Sequence, residues 1–166
     1  MNAPEASHSM PLLALKLSEV LGHKPRTLQV ICPYCGTAAK LVDGRAIYPH
    51  RPDLSSKQFW QCKPCAAYVG CHAQGDGTKP FGRLANAELR RAKKDAHFAF
   101  DRLWMNAQNR RRARGATYAW LAEAMGLTVD ECHIGEMDVR QCERVCDLVV
   151  ARLAAGTVAR RGANGT

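Results

Sequence analysis

Two Cys-x-x-Cys pairs constrain this chain more than any other feature: Cys32-Pro33-Tyr34-Cys35-Gly36 and Cys62-Lys63-Pro64-Cys65. Two cysteines separated by two residues wrap one turn, so both sulfurs face a common point. A second such turn completes four tetrahedral ligands. Each turn carries a proline. Gly36 follows the first turn, where a positive φ is needed, whereas Ala66 stands in the equivalent place of the second, where a left-handed backbone costs about 1 kcal/mol. A redox Cys-x-x-Cys needs only one pair, usually at a helix start, and disulfides belong mainly to exported chains. The pattern therefore reads as one structural Zn2+ held by Cys32, Cys35, Cys62 and Cys65. Four thiolates leave no open position for catalysis. With Zn2+ they carry a net charge of −2, which Lys40 and Lys63 are placed in sequence to offset.

The flanks of the two knuckles have strand character. Leu28 to Ile31 reads as a strand entering the first. Lys40-Leu41-Val42 and Arg45-Ala46-Ile47-Tyr48 flank Asp43-Gly44, a two-residue hairpin signal. Phe59-Trp60-Gln61 leads into the second knuckle and Ala67-Tyr68-Val69-Gly70 leaves it. This order is that of a zinc ribbon, whose core is too thin to hold without metal. Beyond a glycine-rich break (Gly75, Gly77, Gly82) the periodicity becomes helical. Leu89, Ala92, Ala96, Phe100 and Leu103 predict a helix from Asn86, its N-cap, to about Met105. A second is expected from about Ala116 to Met125, stopped by Gly126. A third begins at Asp138, with Gln141 completing a capping box, and buries Cys142, Val145, Val149 and Leu153.

The expected fold is α+β: an N-terminal zinc ribbon (a short antiparallel sheet with two Cys knuckles) packed on a C-terminal helical bundle. The 166 residues divide into a disordered N-terminus (1–10), a short helix plus the ribbon (11–82), a helical module (83–155) and a disordered tail (156–166). In the short helix, Leu13, Leu17, Val20 and Leu21 share one face ahead of Gly22. No apolar run reaches membrane-span length, and the first residues do not form a secretory signal. The expectation is thus a cytoplasmic protein with no membrane contact.

The net charge is +9, and its location matters more than its total. Segment 83–114 carries ten basic residues against three acidic ones. Arg90, Arg91, Lys93 and Lys94 lie on the long helix, and Arg110, Arg111, Arg112 and Arg114 in the turn expected after it. Such a stripe is the usual electrostatic footprint of phosphate-backbone binding. Tyr34, Tyr48, Phe59 and Trp60 offer further stacking surface or core packing. Leu121 to Leu127, followed by Thr128 and Glu131, resembles a helix-turn-helix, but its second helix would be acidic and repelled by DNA. It reads as a packing corner.

Cys71-His72 and Cys132-His133 are candidates for a second metal site. His72, His97, Asp101 and His133 are candidates for a reaction centre, since His97 and Asp101 share a helix face. Buried cysteine is common as a small apolar residue, which is the reading for Cys142 and Cys146. No catalytic residue is assigned and no enzyme activity is favoured.

Several segments together carry a resemblance. They are Cys32-Pro33-Tyr34-Cys35-Gly36, Phe59-Trp60-Gln61-Cys62-x-x-Cys65, Ala67-Tyr68-Val69-Gly70-Cys71-His72, Leu89-Arg90, Ala96-His97-x-x-Phe100-Asp101-x-Leu103-Trp104, Tyr118-Ala119-Trp120-Leu121 and Cys132-His133-Ile134-Gly135. Over about residues 28–150 the chain resembles the zinc-finger-containing family of uncharacterised bacterial and phage proteins. The resemblance implies zinc binding through the four knuckle cysteines and implies no reaction. The leading functional expectation is a small structural-zinc protein that binds nucleic acid through 83–114. One alternative is a regulatory or protein-interaction module of phage or bacterial origin, with an acidic protein partner. A second is a metal-assisted nuclease or hydrolase using His72, His97, Asp101 and His133.

Overall fold

A computed structural model describes residues 28–163, with side chains to Ala155. The expected helix at Leu13–Leu21 and the expected disorder of 1–10 lie outside the described residues. Strands β1 (Lys40–Asp43), β2 (Gln58–Cys62) and β3 (Ala67–Gly70) form an antiparallel sheet in the order β1-β2-β3. Its register places Lys40 opposite Gln61 and Phe59 opposite Gly70. A one-turn helix α1 (Gly44–Ile47) follows β1. Helices α2 (Ala87–Asp101), α3 (Arg110–Met125) and α4 (Val139–Ala163) make the second half. The architecture is α+β, a zinc ribbon packed on helices.

Two cores result. In the ribbon, Cys32, Ala39, Trp60, Cys62, Ala67 and Leu84 are buried together. Among the helices, Leu89, Ala96, Phe100, Leu121, Cys142, Val145 and Val149 are buried with Cys132, Ile134 and Met137. The helical periodicity therefore identified the inward faces of α2 and α4 correctly. Asn86 caps α2 by accepting from the Leu89 N–H, and Asp138 and Gln141 cap α4 reciprocally at 2.8 and 2.9 Å.

Four expectations are corrected. Asp43-Gly44 is not a hairpin turn: Asp43 Oδ1 accepts from the N–H groups of Arg45 and Ala46, so the aspartate caps α1 and residues 45–48 leave the sheet. Gly44 is buried where a Cβ would lie 1.7 Å from the Leu54 carbonyl oxygen, and only glycine fits there. Residues 28–31 give no strand beyond the single bridge between Ile31 and Ala38. α3 begins at Arg110 rather than near Ala116, because Asn109 accepts from the Arg112 N–H and caps it. Its arginine-rich first turns have no apolar rhythm, so periodicity alone missed them. Finally, α4 stays helical to Ala163, past Gly156 where the tail was expected; its Ala- and Arg-rich composition suits a helix.

The segment after Gly126 forms the expected packing corner. Glu131 accepts from both the N–H and the hydroxyl of Thr128, and the Glu131 N–H donates back to Thr128 Oγ1. No helix follows before α4. Here the two halves of the chain meet backbone to backbone: a Cβ on Gly82 would lie 2.2 Å from the Gly135 carbonyl oxygen.

Candidate metal centre and basic face

The first knuckle is closed by a Gly36 N–H to Cys32 O bond (2.9 Å) and a Cys32 N–H to Thr37 O bond (2.8 Å). The second is closed by Ala66 N–H to Lys63 O (3.1 Å). Gly36 has φ +72° and Ala66 has φ +47°, so the left-handed backbone expected at both positions is present, and Ala66 holds it at a cost. Antiparallel pairing of β1 with β2 places the knuckle ahead of β1 beside the one after β2.

The four thiol sulfurs of Cys32, Cys35, Cys62 and Cys65 lie within 4.8 Å of one another. Cys35 and Cys62 are 3.6 Å apart. A tetrahedral Zn–S bond of about 2.3 Å requires sulfur–sulfur edges of about 3.8 Å, so the donor set fits zinc in type, number and spacing. Cys32 and Cys62 are buried in the ribbon core, whereas Cys35 faces solvent. Thr37, which the sequence reading missed, donates its hydroxyl to the Cys35 sulfur at 3.1 Å. That bond, with further help from the Thr37 backbone, brings the Cys35 thiol down to about 6. Sharing hydrogen bonds with the other sulfurs, Cys35 first, pushes Cys65 up to about 12, and burial raises Cys32. Crowded thiols cannot all ionise unaided; a divalent cation supplies the missing charge. Lys40 and Lys63 border the same shallow hollow as Cys62 and Thr37, in position to offset the excess negative charge.

Among the described residues this is the group with metal-binding geometry. The proposed second site is not assembled. Cys71 packs on the ribbon core while Cys132 is fully buried in the helical one. His72 lies against Phe81 at 4.4 Å and His133 beside Tyr118 at 6.0 Å. Burial raises all of Cys71, Cys132 and Cys146, and raises Cys142 to about 11. These behave as neutral core thiols, as read for Cys142 and Cys146. The three histidines do not share a cleft either: His72 lines a groove with Lys57, Phe59 and Phe81 that includes neither His97 nor His133. Asp101 accepts from Trp104 Nε1 at 3.0 Å and makes no hydrogen bond to His97, whose imidazole is kept less basic chiefly by burial.

The eight basic residues separate into three roles. The Arg90 guanidinium stacks on Tyr68 at 4.0 Å and donates to the carbonyls of Ala66 and Ala85. Lys93 Nζ donates to the carbonyls of Arg83 and Gly135, and burial makes it less basic. Both are structural. Arg114 lies over the rings of Tyr118 and Trp104 at 5.0 and 5.8 Å. Arg91, Lys94, Arg110, Arg111 and Arg112 are exposed, and the one ion pair among the described residues is Arg51–Asp53. Trp60 and Phe59 are buried and Tyr48 donates its hydroxyl to Tyr68, so these three rings serve packing, whereas Tyr34 accepts from the Asn86 N–H and leaves its ring 41% exposed. No helix among the described residues is long and apolar enough to cross a membrane.

A family model described as a zinc-finger-containing domain matches residues 28–152, from just ahead of the first knuckle through most of α4. No curated protein and no solved structure matches the chain. The four-sulfur centre is thus the feature this match and the geometry share: the chain belongs to the zinc-finger-containing domain family, and one structural zinc ion is its cofactor.

Proposed function

We propose that this protein binds nucleic acid through phosphate contacts, with zinc fixing the ribbon against the helices that carry the charge. The observation that carries the reading is the start of α3. Arg110, Arg111 and Arg112 occupy its first turn, and that turn holds no acidic residue. Cations there oppose the helix dipole, at about 0.3–1 kcal/mol each. A phosphate contact turns that cost into a gain, because helix N-terminal N–H groups and guanidinium groups both favour an anion. Arg91, Lys94 and Arg102 extend the exposed positive charge along α2. The reducing cytoplasm suits a centre that needs four free thiols.

The test is salt dependence. Binding to a random-sequence oligonucleotide should weaken linearly in log Kd against log salt. Replacing Arg110, Arg111 and Arg112 by Gln should reduce the slope by about 2–3. Binding of an acidic protein in place of any oligonucleotide would move the function to a protein partner.

A further inference from the structure

The solvent face of α2 carries an aromatic ring that no packing explains. Phe98 is 72% exposed. The core side of the helix is built from Leu89, Ala96 and Phe100, and at 100° per residue Phe98 points away from that side. Arg91, Lys94 and Arg102 fall within about 80° of one another and of Phe98 on this turn geometry. Arg102 is the C-cap and retains helical dihedrals (φ −60°, ψ −23°), so the stripe runs unbroken. All three cations are exposed and none is ion-paired. A single exposed ring is ordinary on a protein surface; with Lys94 and Arg102 one turn to either side, this one has the elements of a base-stacking platform.

We propose that Phe98 is a stacking residue for an unpaired base, with Lys94 and Arg102 holding the adjoining phosphates, so that the ligand is single-stranded nucleic acid. This rests on the nucleic-acid reading above and narrows it. One feature selects a single strand over a duplex. In a duplex the base faces are covered by their neighbours, so a ring on a convex helix reaches only base edges. Arg91 lines a hollow with Glu88, Asp95 and Glu143 of α4, so the cations directly beside the ring are Lys94 and Arg102, one turn to either side.

The experiment measures binding of the full-length, zinc-loaded protein to an oligothymidylate and to a duplex of equal length, in wild type and in Phe98→Ala, Phe98→Leu and Phe98→Trp. Phe98 is mostly exposed and lies opposite the core side of α2, so all variants should keep the wild-type melting temperature. Stacking predicts tighter binding of the single strand and a loss of about five- to 150-fold in Phe98→Ala. Phe98→Leu should fail to rescue, Phe98→Trp should rescue fully, and the salt slope should stay unchanged. Four results overturn the proposal. Single-strand affinity unchanged in Phe98→Ala removes the stacking role but leaves phosphate binding standing. A duplex preference lost in Phe98→Ala makes α2 a groove reader. Self-association that vanishes in Phe98→Ala makes the face a contact between copies. Absence of all oligonucleotide binding at low salt defeats the proposal and the broader reading together.

Discussion

The backbone N–H of Asn86 donates to the hydroxyl of Tyr34 at 3.1 Å, joining the first knuckle to the residue that caps α2. The second knuckle reaches the same helix through Arg90, whose guanidinium meets the Ala66 carbonyl at 3.2 Å. Both zinc-binding turns therefore hold the start of α2, and the order of the metal centre is passed directly to the helix bearing the exposed charge.

Two of the six buried ribbon-core residues are zinc ligands, so removing the ion removes part of the core. Structural zinc in small modules supplies about 10 kcal/mol or more of binding free energy that is also folding free energy. Exhaustive chelation should release one zinc per chain and lower the melting temperature by more than about 10 °C. Emission from Trp60, whose Nε1 donates to the Thr78 carbonyl at 2.7 Å, should shift as that residue meets water. An unchanged melting temperature would show that zinc is not structural here.

Zinc loading should release protons. Without metal, Cys65 is pushed up to about 12 and Cys32 is raised, so both are protonated at neutral pH, and binding must displace at least these two protons. Affinity therefore rises with pH, and the holo fold is lost as pH falls, because acid returns protons to sulfurs that the bound state keeps ionised. Calorimetry in buffers of different ionisation enthalpy measures the count. A pH-independent affinity would contradict it.

Ala66 adopts φ +47°, a conformation that costs a non-glycine residue about 1–2 kcal/mol. Ala66→Gly removes that strain while adding up to about 1 kcal/mol of unfolded-state entropy. The net expectation is a gain of about 0.5–1 kcal/mol by denaturant unfolding of the holo protein, with zinc stoichiometry unchanged. A loss of stability would mean that the Ala66 methyl group contributes packing.

Lys93→Met separates structural from ligand-facing charge. It leaves the Arg83 and Gly135 carbonyls without their ammonium donor, which should destabilise the fold by about 2–3 kcal/mol. Because Lys93 points inward, the salt slope of nucleic-acid binding should not change, whereas Lys94→Gln should lower that slope by about 1 without affecting stability.

Gly115 lies in the second turn of α3, and a Cβ there meets nothing within 4 Å. Gly115→Ala should stabilise the protein by about 0.8–1 kcal/mol through helix propensity. A neutral or destabilising effect in thermal unfolding would place an unseen contact on that face.

Legibility in the sequence followed physical locality. The knuckles, the Asn86 and Asp138 caps and the inward faces of α2 and α4 depend on residues one to four positions apart, so spacing alone specifies them. Some of what failed is local, such as the arginine-rich start of α3 under its Asn109 cap, but the rest depends on distant partners. Asp43-Gly44 is equally suited to a hairpin and to a helix cap, and the Leu54 carbonyl pressed against Gly44 decides between them. Arg90 and Lys93 looked like surface charge until their carbonyl acceptors at Ala66 and Gly135 were in place. Phe98 left a trace, being a phenylalanine out of phase with Leu89, Ala96 and Phe100, but only the folded helix makes its exposure plain. The Cys-His pairs, similar as sequence, went to different cores.

At the Gly82–Gly135 crossing the gap is narrower than one methyl group, and the Arg83 N–H donates to the Gly135 carbonyl across it. Such a junction has no side-chain layer to slide or roll on. The metal-bearing and helical halves consequently hold a fixed mutual angle, and whatever grips one half is held at a set distance from the other.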